Sequence, residues 1–315
     1  MIDADDVTIA DLSMTGANIG IFAELDADSD GATITGNRIF RNSVDGVRLE
    51  RDNDDALIED NEVFRQGTTG IRVESDNPVV RRNRVYDNQN TGIIVDPNTS
   101  DAPALVTENI VFGNRSIGIS IRERGTVALN NEVYGHTGTN AFGIFVDNQA
   151  RAEGNIVHSN FDGIRSAVNS NGATVDNRVF NNINIGIHTL GRETVRGNQV
   201  YANSIGIEAS RVFRGLVANN VIYNNSNQGI LARDARDGSR FINNTVVQPV
   251  GDAVRIEQSS DDVTLHSNIL MTQAGHAISV ADDSQLRLDS DYNLLQFPTG
   301  TPNMGMENWQ DVDFD

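Results

Sequence analysis

The sequence predicts an all-β solenoid of short parallel strands, and three observations carry that prediction. An asparagine recurs at near-fixed spacing at Asn37, Asn61, Asn83, Asn109, Asn131, Asn155, Asn177, Asn198, Asn220, Asn244 and Asn268, 21 to 26 residues apart. Leu12 takes the first slot of this series and Asp291 the last. A period in that range marks stacked repeats rather than one globular core. Between the anchors, apolar residues alternate over three to five positions with no helical period, the pattern of a half-buried strand. Strands so short cannot pair within one repeat, so each must pair with its equivalent one repeat away, in parallel.

Residues 78–96 show one repeat. Val80, Val85, Ile93 and Val95 should point inward, with Arg81 and Ile94 outward. The anchor asparagines then stack about 4.8 Å apart, and each amide can donate to one neighbour and accept from the other. Three residues on, an aromatic column runs through Phe40, Phe64, Tyr86, Phe112, Tyr134, Phe180, Tyr201 and Tyr223, interrupted by His158. A second amide column holds Asn42, Gln66, Asn88, Asn114, Asn160, Asn182, Asn203 and Asn225, with His136 as the exception. Glycines such as Gly46, Gly70, Gly92, Gly118, Gly186 and Gly206 mark a bend where a side chain would clash or φ must be positive.

Composition narrows the function classes. The net charge of −20 opposes binding to nucleic acid or anionic lipid and favours cations. All 24 basic residues are arginine, so a lysine base is excluded. There is no cysteine, which is compatible with secretion, and no apolar run reaches the ~18 residues of a membrane span. The chain enters its first repeat within a few residues, which reads as a module with adjoining domains in a longer protein. Its open first coil is expected to abut an upstream domain or to self-associate.

The asparagine, aromatic and Gly-Ile columns resemble the right-handed parallel β-helix repeat proteins of the pectate-lyase-like superfamily. The resemblance covers about residues 7 to 295. It implies a single-stranded right-handed parallel β-helix of about twelve coils with three short parallel sheets, some ~55 to 60 Å of rise at the strand spacing. Residues 1–290 would form the β-helix, and 291–315 a non-repeat cap plugged by Phe297 and Trp309. The superfamily includes lyases, epimerases, polygalacturonases, tailspikes and non-catalytic surface proteins. This chain lacks the Asp-Pro-His-Glu phrase of mannuronan epimerases and the Gly-His-Gly and Arg-Ile-Lys phrases of polygalacturonases. Fold does not choose among these functions.

Sites must lie where the repeat does not dictate residue type. One candidate is an acidic corner. Asp26, Asp28 and Asp30 precede Gly31, and the next corner carries Asp52 and Asp54. Stacked carboxylates of this kind suit Ca2+, a hard cation that collects oxygen ligands. A solvated acidic turn is the alternative. The second candidate is an outward column one residue past each isoleucine or valine: Phe22, Arg48, Arg72, Ile94, Ser120, Phe145, Arg165, His188, Glu208, Leu231 and Arg255. Arg165, His188 and Glu208 on consecutive coils could neutralise a uronate carboxylate and move its α-proton. Phe145 and Tyr201 could offer a sugar platform, and Arg48 and Arg72 further contacts. On an exposed sheet the same residues could be ordinary cross-strand charge pairs.

The resulting expectation is an extracellular or cell-surface scaffold that binds a polysaccharide or glycan, with calcium in its corners. A lyase or epimerase acting on uronate polymers and a ligand-free structural stalk are the alternatives. Short, regular corners favour the scaffold.

Overall fold

The structure is a computed structural model that describes residues 1–25, 27, 29–99, 102–168, 170–296 and 306–307. The chain divides into two compact units, Met1–Phe161 and Asp162–Asp315. Both are built from the same coil, and together they hold the predicted right-handed β-helix of about twelve coils. Each coil contributes one strand to each of three sheets. In the fourth coil these are Val79–Arg81 (first sheet), Arg84–Tyr86 (second sheet) and Ile93–Val95 (third sheet). All pairing is parallel and one coil apart: Val80 lies between Ile58 and Val106, Val85 between Val63 and Val111, and Ile93 between Ile71 and Ile119. Val80, Val85, Ile93 and Val95 are fully buried, as the alternation predicts. Among the described residues the one helical turn is Asp282–Ser284, and no helix is long and apolar enough to cross a membrane.

Within each unit the amide column is a hydrogen-bonded ladder. Asn61 donates from Nδ2 to Asn83 Oδ1 at 3.0 Å, and its backbone N–H donates to the same oxygen at 3.0 Å. Asn83 repeats this onto Asn109 at 3.1 and 2.9 Å. Leu12 fills the first slot as predicted, donating its N–H to Asn37 Oδ1. The last rung differs: Asn268 donates to Asn293, not to Asp291, which pairs instead with His266 in the first sheet. The second ladder is also present and gains Gln248, which accepts from Asn225. His136 sits within it, its Nδ1 accepting the Asn114 N–H at 3.1 Å.

Within Met1–Phe161, His158 continues the aromatic column. Its ring stacks on Tyr134 with centroids 5.0 Å apart, like the Phe64–Tyr86 pair at 4.9 Å. Unlike the buried His136, His158 is only partly covered.

Two corner features differ from expectation in cause. The left-handed backbone falls one residue before each amide, at Asp60, Arg82 and Glu108 (φ 56, 52 and 57°) and at Arg65 and Asp87 (both 55°). A non-glycine residue there costs about 1–2 kcal/mol, and the ladder bonds that follow offset it. The Gly-Ile glycines are required by crowding instead. A Cβ on Gly92 would lie 2.6 Å from Gly118 O, 2.6 Å from Val111 Cγ1 and 2.7 Å from Asn114 Nδ2. Gly92→Ala should therefore lower stability by about 3 kcal/mol, measurable by urea unfolding. An unchanged midpoint would show that the coils yield freely at this point.

Strands Asp289–Asp291, Leu294–Gln296 and Met306–Glu307 pair in register with the coil before them. The repeat thus runs past residue 290 into the stretch expected to be a cap. Phe297 and Trp309, the expected plugs, lie outside the described residues.

Candidate functional site

The outward column of the third sheet forms in register within each unit. In Met1–Phe161, Phe22, Arg48, Arg72, Ile94, Ser120 and Phe145 stand on successive strands. In Asp162–Asp315, Arg165 pairs with His188, His188 with Glu208, Glu208 with Leu231 and Leu231 with Arg255.

This second stretch is not the exposed sheet that would make its charges ordinary surface pairs. His188 is 8% exposed, Glu208 6% and Leu231 0%. The cause is strand length. Ile71–Val73 has three residues, whereas Ile185–Leu190 and Ile205–Ser210 have six each, all buried. Ile185, Ile205 and Leu231 form a small apolar cluster of their own.

Inside this cover the side chains converge. His188 Nε2 lies 2.8 Å from Ser210 Oγ and 3.7 Å from Glu208 Oε1, while Arg233 Nη1 is 3.6 Å from the same carboxylate oxygen. His188 Nδ1 is buried with no hydrogen-bond partner among the described residues. Burial, then the positive charges of Arg165, Arg211 and Arg233, push the His188 pKa down to about 3. Burial raises that of Glu208 against the pull of Arg233 and the Ser210 hydroxyl, with Asp162 and Glu257 adding repulsion. Arg165 is half-buried. Desolvation and Arg211 lower its pKa, and Asp162 and Glu208 hold it up.

The chemistry follows from these charge states. At neutral pH His188 is an uncharged imidazole and a weak base, poorly matched to proton abstraction. Around it the guanidinium groups of Arg165, Arg211 and Arg233 are interleaved with the carboxylates of Asp162, Glu208 and Glu257. That arrangement suits holding an anionic or hydroxyl-rich group better than moving a proton.

Beyond this point the face closes on itself. Arg233 Nε meets Glu257 at 2.8 Å, Arg255 Nε meets Glu257 at 2.6 Å, and Arg255 Nη1 meets Asp252 at 3.2 Å. Asp252 also accepts from the His276 N–H at 2.9 Å.

The other sequence candidates are placed differently. Arg48 and Arg72 are engaged inside the protein: Arg48 pairs with Glu50 at 3.0 Å and Arg72 with Glu74 at 3.1 Å, and both face the buried Asp45. Phe145 lies against Phe142, centroids 6.1 Å apart. Tyr201 offers no open ring face for a sugar, because Phe180 and Tyr223 cover both sides at 5.0 and 4.8 Å.

In the acidic corner, Asp26 and Asp28 lie outside the described residues. Asp30 and Asp54 do stack, but the Asp54 N–H donates to Asp30 Oδ1 at 2.7 Å and the Asp76 N–H to Asp54 Oδ1 at 2.8 Å. Burial raises the Asp54 pKa; the bond from Asp76 opposes this, and the neighbouring acids reinforce it. Asp52 sits in an exposed left-handed turn. Among the described residues no group of three or more His, Cys, Asp or Glu is arranged to hold a metal ion.

Sequence reasoning missed the buried aspartates three residues before outward arginines, Asp45, Asp162 and Asp252. The signal was present as Asp-Gly-Val-Arg at 45–48, Asp-Gly-Ile-Arg at 162–165 and Asp-Ala-Val-Arg at 252–255. It also missed Ser210, Arg211 and Arg233, which lie at or just beyond the ends of lengthened strands.

Comparison with solved structures places this geometry among known folds. The Dettilon tailspike protein superposes with a TM-score of 0.69 over 84% of this chain at 13% identity. This chain spans 62% of that tailspike chain's length, under two thirds of it. The A-module of the mannuronan C-5 epimerase AlgE6 from Azotobacter vinelandii gives a TM-score of 0.62 at 14% identity, covering 94% of this chain and 85% of the module. At such identities the likeness is one of fold. Among curated protein sequences, none matches. The right handed beta helix region family matches residues 2–137 and 118–270, and with the three parallel sheets described above this shows that the chain belongs to that family.

Proposed function

We propose that this chain is a carbohydrate-binding β-helix module working outside the cell or at its surface, and that its ligand is an acidic polysaccharide. The binding face is the outer side of the third sheet in Asp162–Asp315, centred on Arg165, His188 and Arg211. The observation that carries this reading is the buried His188 with Arg165 in register on the neighbouring strand, Arg211 just past the end of the next strand and Arg233 beside Glu208, in a protein of net charge −20. Arg233 is largely engaged by Glu257 and Glu208, and Arg165 and Arg211 are the groups assigned to contact the ligand. The fold likeness to a mannuronan epimerase module makes a uronate polymer the first ligand to try.

The test is calorimetric titration with oligouronates beside neutral oligosaccharides of equal length. Oligouronates should bind, with affinity falling as salt rises, and neutral chains should not. Arg165→Ala should weaken binding by about tenfold or more, the scale of one charged hydrogen bond. Equal binding of both series, or an unchanged Arg165→Ala affinity, would overturn the reading.

A second reading, lyase or epimerase, rests on Arg165, His188 and Glu208 standing on three consecutive strands. It requires unsaturated product or proton exchange at the uronate α-carbon in the same samples. The depressed His188 pKa argues against it, because the base would have little driving force.

A further inference from the structure

The turn that leaves the second sheet places one left-handed residue just before each rung of the second amide ladder. In Met1–Phe161 successive coils put Arg41, Arg65, Asp87 and Gly113 there, with φ of 54, 55, 55 and 63°. Each donates its N–H to the strand end one coil on: Arg65 to Tyr86 O, Asp87 to Phe112 O and Gly113 to Tyr134 O. The coils before Gly113 hold the same turn with side chains, so glycine is not required at 113 for its conformational freedom. What glycine removes is the side chain. A Cβ at 113 would meet only Asp87, with Oδ1 3.0 Å away.

The space left open is a cavity of about 530 Å3 lined by Arg65, Asp87, Asn88, Gln89, Gly113 and Arg115. Asn88 is committed to the ladder, donating from Nδ2 to Asn114 Oδ1 at 2.8 Å and accepting the Gln66 N–H at 3.0 Å. The other polar side chains keep hydrogen-bonding capacity. Arg65 Nε stands 3.7 Å from Asp87 Oδ2, close enough for charge attraction and too far for a hydrogen bond. Arg115 and Gln89 are exposed, and among the described residues neither side chain has an ion pair or a hydrogen bond.

This mixed lining selects a ligand class. The planar fork of Arg115 suits a carboxylate, which it can hold through two parallel hydrogen bonds. Asp87 repels a bare anion but accepts from hydroxyl groups, and the Gln89 amide can donate or accept. A neutral sugar would leave Arg115 unused, and inorganic phosphate would face Asp87. A sugar residue that carries both a carboxylate and ring hydroxyls uses every group. The volume falls in the range of small-molecule sites, roughly 300–1,000 Å3.

We propose that this cavity is a further carbohydrate site, selective for an acidic sugar residue. Arg115 takes the carboxylate, Asp87 and Gln89 take ring hydroxyls, and Gly113 keeps the cradle open. The site lies wholly within Met1–Phe161 and stands on its own lining, so it does not depend on the face around Arg165.

The experiment titrates digalacturonate, a neutral digalactose and inorganic phosphate into the unaltered chain and into Arg115→Ala, Gly113→Asn, Asp87→Asn and Arg165→Ala. Digalacturonate should bind more tightly than either control. Arg115→Ala should weaken that binding by about tenfold or more, the scale of one charged hydrogen bond, with an unchanged melting temperature. Gly113→Asn fills the cradle with a residue the left-handed turn tolerates and should lose as much. Asp87→Asn separates sugar from anion: affinity for digalacturonate should fall about fivefold while affinity for phosphate rises. If Asp87→Asn gains affinity for both, the cavity is an anion site only and the inference is wrong. Unchanged digalacturonate binding in Arg115→Ala and Gly113→Asn also overturns it. If Gly113→Asn does not fold, Arg115→Ala decides, since its side chain is exposed. Loss confined to Arg165→Ala removes this site and leaves the proposed face standing. Loss confined to Arg115→Ala and Gly113→Asn does the reverse. An unaltered chain that binds no digalacturonate removes both.

Discussion

Asn83→Ala should destabilise the protein by about 4 kcal/mol, one of the two largest effects anticipated for a single substitution. Asn83 is a complete rung of the buried amide ladder. Its Oδ1 accepts from the Asn61 N–H and from Asn61 Nδ2, both at 3.0 Å. Its Nδ2 donates to Ile58 O at 2.8 Å, to Arg81 O at 3.0 Å and to Asn109 Oδ1 at 3.1 Å. Alanine removes all of these while the coils above and below stay packed. The Asn61 N–H then loses its acceptor in a place water does not reach, and the Ile58 carbonyl loses a donor. Each buried orphan costs roughly 1–3 kcal/mol, and the left-handed residue before the rung, Arg82 at φ 52°, loses the bonds that hold it there. Urea unfolding of Asn83→Ala beside Arg84→Ala, an outward change on the neighbouring strand, is the measurement. Equal losses for the two would mean that the ladder contributes little beyond ordinary packing.

The same ladder explains what could be read from the sequence. Amide stacking demands one residue type at one interval, so Asn37 to Asn268 fix the coil length and, by counting two residues at a time, the inward and outward sets. That count placed Arg165, His188 and Glu208 in one column, where the structure has them. It failed at the C-terminal end, where the spacing to Asn293 is 25 residues and Asp291 offers a tempting polar side chain two positions early. The burial of His188 and Glu208 was not legible, because it comes from strands lengthened to six residues and from Leu231 packing with Ile185 and Ile205. Nor was the engagement of Arg48 and Arg72: an arginine on an outward position looks the same in sequence whether a ligand or Glu50 takes its charge. The Asp-Gly-Val-Arg phrase at 45–48 could have revealed it for Arg48, but Arg72 has Thr69 in the aspartate's place and gives no such signal.

Stability should fall in mild acid, and His136 is where the loss can be isolated. His136 occupies an amide slot between Asn114 and Asn160. Its Nδ1 accepts the Asn114 N–H, and Asn160 Oδ1 accepts the His136 N–H, both at 3.1 Å. Burial pushes its pKa down to about 4 from an ordinary 6.5, with backbone hydrogen bonds opposing only part of the shift. The unfolded chain therefore takes up a proton below pH 6.5 that the folded chain refuses. The stabilising effect of the neutral ring is complete above pH 6.5 and is lost progressively down to about pH 4, amounting to about 3 kcal/mol. His188, pushed down to about 3, loses stability in the same direction and further into acid. Asp54, Asp96, Asp162 and Glu208 have raised pKa values and act in the opposite sense, gaining stability as they protonate, so the total pH profile is muted. A difference measurement removes them. His136→Asn restores the ladder's usual residue and leaves the carboxylates untouched. Its stability should match the unaltered protein to within about 1 kcal/mol at pH 7.5, one neutral hydrogen bond's worth, and exceed it by about 2–3 kcal/mol at pH 4.5. Denaturant midpoints at the two pH values decide the matter. Parallel profiles for the two proteins would mean that the ring is protonated inside the ladder without penalty, and that burial in this column does not hold it neutral.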